Sequence, residues 1–569
     1  MEMIINSKQK DSSNKRKLAD YQPIRIKIIK SENFDLYVNT KYKTLVNDSI
    51  NDAVSYIEKL VSIIRLTSNI TITQNDDQEE LFTSYINKQY DVDLVIFFGI
   101  DLYLTDTDIA DISIIRRITD KGSPHYLRPI ITLLKFNVRY LELYLKAARD
   151  EEKKKDLTYR LMHQFFHFLG FEKSILQEKK ILDTNTNKRI NGIEQTKLIA
   201  KGRTLLEKAR EYFDCSTLKG LEFEKDEEFL HWNKRILLGD IMTSNVYYPD
   251  QVISEFTLAL LEDIGVYKVN YFTGGLMRFG KHKGCDFIDK DCVELNHRNE
   301  ISPSFLNEFC FQESTEIYGT CSPGRQSRGY CLQKTVYNDV DNEMRRIFSS
   351  SIEWKSNYGP ESTEFCPITS EMLKTQVITR EETNLRYYIG NCKIGNSNYG
   401  DEMEPNALNY GTLSLDFGEI LGENSLCGLS SIFTRNISYE GILRPTCYKM
   451  FCKEKSLTVQ IGDEYIVCPR EGGLIKIGKK TADETKYTNY FGYFFCPDYN
   501  LVCTGTKFCN DIFDCIDNES VYKTPTYDYK LNNEDITSQV NFYIKSNTEL
   551  DQIIPIEGYE KRWWWNLSY

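Results

Sequence analysis

The chain has 569 residues, 41% of them hydrophobic, and a formal net charge of −12. That length exceeds one ordinary core, so about two to four domains of a soluble globular protein are expected. The acidic balance excludes a nucleic-acid binder held by a basic surface.

Residues 1–20 are polar and basic, carry no apolar signal-peptide core, and read as a flexible tail. After Pro23, Ile24, Ile26, Ile28 and Ile29 form a strand-like run. Ile50, Val54, Ile57, Leu60, Val61 and Ile64 recur at helical spacing and predict a helix over 48–65. Val92 to Ile100 predicts a buried strand with Asp91 and Asp93 at its entrance, and Arg128 to Leu134 predicts another. From Leu141 to Leu169 the pattern is helical, with a solvated Glu/Lys cluster at 151–155 read as an exposed helix end or loop. Gly170 is expected to stop that helix through a left-handed C-cap. Residues 176–230 are charged and helix-prone. Ser254 can N-cap a helix over 255–263 that Gly265 terminates. Beyond about residue 285 the chain turns Cys-, Gly- and Tyr-rich, with turn signals such as Asn409-Tyr410-Gly411 and Gly472-Gly473. This predicts a disulfide-braced, mostly β or irregular domain.

All 16 cysteines lie between Cys215 and Cys515, and no C-x-x-C occurs. Disulfides formed in an oxidising compartment fit this better than a zinc ribbon. No apolar run is long enough for a transmembrane helix. Sequons at Asn47, Asn69, Asn436, Asn518 and Asn566 permit glycosylation.

The chemistry concentrates at His163-Gln164-Phe165-Phe166-His167-Phe168-Leu169-Gly170. Residues four apart share a helix face, so His163 and His167 can present both imidazoles to one cation. Zinc suits neutral nitrogen ligands in a tetrahedral site with a third protein ligand and an open position. The bland alternative is two packed histidines on an aromatic helix. The chain holds six histidines in all, at 125, 163, 167, 231, 282 and 297.

Downstream, His231-Trp232-Asn233-Lys234-Arg235 leads to Leu238-Gly239-Asp240-Ile241-Met242-Thr243. Here the chain resembles the leishmanolysin-like metallopeptidases, a metzincin family. That family's pattern is H-E-x-x-H-x-x-G, a long insertion, a third zinc histidine, and then a methionine turn beneath the metal. The resemblance continues through Ser254, Thr257 to Asp263, Tyr267 to Tyr271 and Lys283 to Phe287. Echoes occur at Gln22 to Ile26, at Arg128-Pro129-Ile130 and around Cys496, Cys503, Cys509 and Cys515. It spans nearly the whole chain and is most specific between Met162 and Phe287.

The resemblance implies an α+β fold. A zincin subdomain over 21–172 carries a mixed sheet and the active-site helix. A central helical or insertion subdomain follows over 173–300, and a Cys-rich, mostly β domain over 301–569. It also implies His163, His167 and His231 as ligands of one zinc ion per chain, with Met242 in the methionine turn. Gln164 then stands where the family has its general base. In an active member the helix glutamate takes a proton from zinc-bound water and passes it to the leaving amine. An amide has nearly the same shape but cannot accept a proton at neutral pH. Loss of such a base typically costs about 10²–10⁴-fold. Glu172 and Asp240 are the nearest substitute carboxylates in sequence, but neither follows the first ligand directly. Phe165 and Phe166 are bulkier than the small residues usual inside this motif.

The expected protein is therefore a zinc-binding family homologue that hydrolyses peptides poorly or not at all. It would act extracellularly or at the cell surface, as a monomer, in protein or peptide binding and cell adhesion. The alternatives are a working zinc endopeptidase and a scaffold that has lost the metal.

Overall fold

The computed structural model describes most of residues 21–292 and separate stretches within 308–499. Residues 1–20 and 500–569 lie outside the described set, as do 103–108, 140–149, 245–250, 272–276, 293–307, 333–363, 393–417 and some shorter stretches. The N-terminal tail, Asn409-Tyr410-Gly411, His297 and Cys503, Cys509 and Cys515 therefore fall outside it.

A four-stranded mixed sheet organises the first part of the chain. Its strands are β2 (Ile26–Lys30), β4 (Leu94–Asp101), β5 (Ala110–Arg117) and β6 (Pro129–Asn137), in the order β2-β4-β6-β5. The first three in that order run parallel, with Ile26 opposite Leu94 and Val95 opposite Ile131. β5 lies antiparallel on the edge. β4 reads Leu-Val-Ile-Phe-Phe-Gly-Ile-Asp and is buried along nearly its whole length, because both faces of the sheet are covered. Leu94, Ile96, Phe98 and Ile100 face the main core. Val95 and Phe97 face a smaller core with Ile29, Ile72, Phe82 and Ile131, where Phe97 and Phe82 stack at 4.3 Å.

Against the main face lie helix α1 (Thr40–Leu60) and helix α2 (Asp150–Leu169). α1 starts earlier than its apolar period suggests, capped by the Asn39 side chain. It also ends earlier: Val61–Ile64 leave the helix as strand β3, with Val61 and Ile63 buried. A β-branched run alternating in burial suits a pleated strand better than another helical turn. β3 lies between β1 (Tyr21–Pro23) and a strand at Tyr267–Val269, antiparallel to both. The charge run at 151–155 lies within α2 rather than at a loop, and Lys154 pairs with Asp52 of α1 at 2.8 Å.

Residues 176–230 depart most from expectation. After helix α3 (Lys173–Glu178), a β-hairpin of β7 (Leu182–Ile190) and β8 (Ile193–Ala200) stands where helix was expected. Thr184, Asn185, Thr186 and Asn187 favour strand and turn over helix interior, and Asn191-Gly192 is a hairpin dipeptide. Helix α4 (Arg203–Phe213) and the short strand β9 (Leu221–Glu222) complete this part, and β9 pairs with β8. The helix over Glu255–Asp263, here α5, forms as read. Ser254 Oγ accepts from Phe256 N at 3.2 Å and Thr257 N at 3.3 Å, and Gly265 follows at φ +84°.

The main core is continuous from Ile24 to Ile368. A second core lies in a seven-stranded antiparallel sheet. There Ser425–Ser430, Arg444–Lys453, Ser456–Ile461 and Glu464–Cys468 follow one another across the sheet. Tyr490–Cys496 lies on the other side of Ser425–Ser430 and carries Phe433–Thr434 and Gly473–Ile477. Among the described residues, disulfides join Cys215–Cys285, Cys292–Cys366, Cys321–Cys427, Cys392–Cys447 and Cys468–Cys496. The fold is thus mixed α/β, followed by the disulfide-rich β region the cysteines suggested.

Candidate metal centre

From Asp156 to Leu169, α2 is buried almost all round. From Leu161 to Phe171 every residue is buried except Gln164. His163 and His167 are 4% and 2% exposed. Four residues apart, they sit one turn above the other on the same face.

The third histidine arrives through backbone pairing. Past Gly170 the chain runs antiparallel to residues 228–230. Leu230 N donates to Phe171 O at 3.1 Å, Lys173 N donates to Glu228 O at 2.8 Å, and Glu172 bridges Phe229. His231 is thereby delivered beside the two helical imidazoles, and the Phe229 ring lies edge-on to His167 at 5.5 Å.

Gly170 has a role other than the one expected. Its φ is not positive, so no left-handed cap exists there. A Cβ at this position would meet Ile264 Cδ1 at 2.2 Å and Leu261 Cδ2 at 3.2 Å. Close packing of the helix end against α5 and the residue after it, rather than backbone handedness, calls for glycine.

The Nε2 atoms of His163 and His167 are 3.0 Å apart, and each is 3.2 Å from Nε2 of His231. A tetrahedral zinc with Zn–N of about 2.0–2.1 Å spaces its nitrogens roughly 3.3–3.4 Å apart, so the triangle is close to the required size. Nδ1 of His163 lies 2.5 Å from Ile241 O, and Nδ1 of His167 lies 3.1 Å from Phe171 O. Each Nδ1–H donates to a carbonyl, which leaves the Nε2 lone pair aimed inward. Converging lone pairs with no proton to share repel one another, and a cation is the partner that resolves them.

The electrostatics agree. Burial holds His163 down to about 4. Burial, then the neighbouring His163 and His231 rings, holds His167 well below its usual value. His231 is lowered well below as well, by burial, then by His163 and Lys234. Neutral imidazole is the ligand form.

A buried carboxylate organises the turn that carries Ile241 and Met242. Asp240 accepts from Met242 N at 2.6 Å, from Thr257 Oγ1 at 2.9 Å and from Ser254 Oγ. Burial pushes it up to about 6 despite these donors. Trp232 ties the turn to the third ligand: its N donates to Met242 O at 2.8 Å and its Nε1 to Thr257 Oγ1 at 3.0 Å. Met242 is fully buried in this turn. Glu172 is also engaged. It caps α3 through Ser174 N and Ile175 N and pairs with Arg117 at 3.1 Å.

The structure therefore brings His163, His167 and His231 together. Of the remaining histidines, His125 lies between β5 and β6, and His282 pairs with Asp214 at 2.9 Å. Residue-type reasoning missed the carbonyls of Ile241 and Phe171, because every residue has a carbonyl. Asp240, a substitute proton acceptor by sequence position alone, is a brace for the turn.

Comparison with known proteins agrees with this geometry. The family model described as Leishmanolysin matches residues 20–510. Over 307 residues the chain is 25% identical to the leishmanolysin-like peptidase of Drosophila pseudoobscura pseudoobscura, covering 52% of this chain and 42% of that one. Over 236 residues it is 28% identical to the leishmanolysin-like peptidase of Caenorhabditis briggsae, covering 39% and 32%. Over 195 residues it is 27% identical to the leishmanolysin of Leishmania chagasi, covering 33% and 31%. The chain spans less than half the length of these relatives.

Proposed function

This chain belongs to the leishmanolysin family, and on that premise we propose that it binds zinc through His163, His167 and His231 but hydrolyses peptide bonds poorly or not at all. The ion, when bound, supplies Lewis acidity and an acidified water. The chain's own contribution to proton transfer is then decided at residue 164.

The observation that carries this reading is the side chain beside the first ligand. Gln164 is the one residue from Leu161 to Phe171 that is not buried, so it is the group α2 offers toward the accessible side. Its amide can hold a water by donating or accepting a hydrogen bond, but it cannot take the proton. Neither carboxylate weighed as a substitute is free. Asp240 is held by the turn and by α5, and Glu172 by α3 and Arg117.

A centre that holds metal without a base can still coordinate a carbonyl or carboxylate of a partner without cleaving it. We assign the chain a binding role toward a protein or peptide partner, extracellularly or at the cell surface. The disulfides among the described residues support an oxidising compartment. No helix among the described residues is long and apolar enough to cross a membrane.

The test pairs zinc stoichiometry with a broad peptide assay of the chain and of Gln164→Glu. One zinc, no cleavage, and cleavage gained with the glutamate is the expected result. Chelator-sensitive cleavage by the unaltered chain would overturn the impaired reading, and a chain that takes up no zinc would overturn the metal centre.

A further inference from the structure

Behind the third histidine lies a charge cluster that the metal chemistry does not use. Arg189 of β7 is buried, and its Nε and Nη2 donate to the Glu364 carboxylate at 2.9 and 2.8 Å. Its Nη1 donates to Glu222 Oε1 of β9 at 2.9 Å and to Ile288 O at 2.7 Å. Lys197 lies 3.3 Å from Glu364, and Arg235 lies 3.9 Å from it. Three cations thus surround two buried carboxylates.

One of those carboxylates comes from far along the chain. Glu364 is separated from Arg189 by 175 residues and precedes Cys366, which is bonded to Cys292. Its backbone is left-handed at φ 53°, a conformation disfavoured for any residue with a side chain. Such a conformation persists only where the surroundings over-determine it. The ion pairs to Arg189 and the nearby disulfide are those surroundings.

The cluster touches the metal centre through Asn233, two residues after His231. Asn233 Nδ2 donates to Glu364 Oε1 at 2.9 Å and to Glu222 Oε2 at 3.3 Å. Its backbone N donates to Glu222 O at 2.9 Å, and its Oδ1 accepts from Arg235 N at 3.0 Å. His231 sits on a segment clamped on both sides: by Trp232 to the Met242 turn, and by Asn233 to this cluster.

We propose that Glu364 is a positioning residue for the metal centre, a clasp by which the Cys-rich region fixes the segment carrying His231. The inference rests on the zinc reading above. It makes the last ligand conditional on docking of Glu364: without that carboxylate Arg189 and Lys197 lose an ion-pair partner, and Asn233 loses its nearer acceptor.

The experiment measures Zn²⁺ affinity of the full chain by competition with a chromophoric chelator, together with the visible spectrum of the Co²⁺-loaded protein. Glu364→Gln removes the charge. Asn233→Ser keeps a side-chain oxygen that can accept from Arg235 N and leaves the ion pairs intact, so it decides the matter if Glu364→Gln does not fold. Glu419→Gln, which removes a buried charge paired with Arg328 in the Cys-rich region, is the control for general destabilisation.

Glu364→Gln and Asn233→Ser are each expected to weaken zinc by about tenfold, the lower end for outer-shell partners, and to shift the cobalt bands. Glu419→Gln is expected to do neither. Unaltered affinity and spectrum in the two variants, with the parent chain binding zinc, would overturn the clasp and leave the metal centre standing. Equal weakening in Glu419→Gln would overturn it too. No zinc on the parent chain would instead overturn the reading beneath it.

Discussion

Three imidazoles held neutral by burial carry a pH signature. The usual histidine value is 6.5, and the folded value of His163 is about 4. A depressed folded value means the unfolded chain takes up protons first. The stabilisation is therefore present above 6.5 and is lost as pH falls toward 4. His163 alone corresponds to roughly 3 kcal/mol over that window, and His167 and His231 shift the same way. Asp240 has the opposite sign: raised to about 6, its contribution is full at acid pH and is lost as pH rises through 6. The lowered imidazoles, His125 among them, should outweigh the raised carboxyls and leave the metal-free chain less stable at pH 5 than at pH 7. Urea midpoints across that range check this, and a flat profile would contradict it. At this scale the sequence was most legible where spacing carries chemistry. His163 and His167 stand four apart because a helix requires it, whereas His231 came only through family resemblance. The second acceptors of the ligands were not legible, since backbone carbonyls leave no residue-type mark.

Where elements meet, the joints are as specific as the side chains. Gly170 lets the end of α2 lie against α5 and Ile264. Gly170→Ala is expected to destabilise by about 1–2 kcal/mol through overpacking. Adding Ile264→Val, which deletes the clashing Cδ1, should return most of that loss in a denaturant-based double-mutant cycle. Additive losses would contradict the contact. Asp240 joins the Met242 turn to α5, and its backbone neighbour Ile241 orients His163. Asp240→Asn is expected to cost about 1–3 kcal/mol by leaving buried donors and acceptors mismatched. It should also weaken zinc about 10–100-fold as an outer-shell change; titration with a competing chelator would show it, and unchanged affinity would contradict the bracing role. The elements themselves were partly legible. β4, β6, α2 and the Ser254-capped helix follow from period and caps. The hairpin of β7 and β8 was missed because its Lys and Glu residues suggested helix, while the Asn191-Gly192 signal went unread. The helix read over 48–65 ran on through Val61 and Ile64 because one apolar periodicity passes into another without punctuation.

Across the described residues, the two main cores differ in size and in how far they lean on disulfides. The sheet-and-helix body is continuous from Ile24 to Ile368, packed by aromatic and aliphatic side chains. The 425–496 sheet has a smaller core and is braced by Cys321–Cys427, Cys392–Cys447 and Cys468–Cys496. Each native disulfide is typically worth about 2–5 kcal/mol. Reduction should therefore strip hydrogen-exchange protection from 425–496 well before it does so from β4 and α2, and simultaneous loss would contradict that division. The disulfide-rich β character was legible from cysteine placement alone, but no pairing was, because connectivity depends on which strands become neighbours. The charge cluster around Arg189 was likewise invisible: its members are scattered from β7 to residue 364 and meet only in the fold.

We propose a metal site that is intact and a proton acceptor that is lost at Gln164. The most direct measurement is peptide hydrolysis by the zinc-loaded chain beside its Gln164→Glu variant, with zinc content determined on both. The expected result is one zinc in each and a gain of about 10²–10⁴-fold with the glutamate, the range a general base contributes. Equal, chelator-sensitive hydrolysis by both proteins would contradict it.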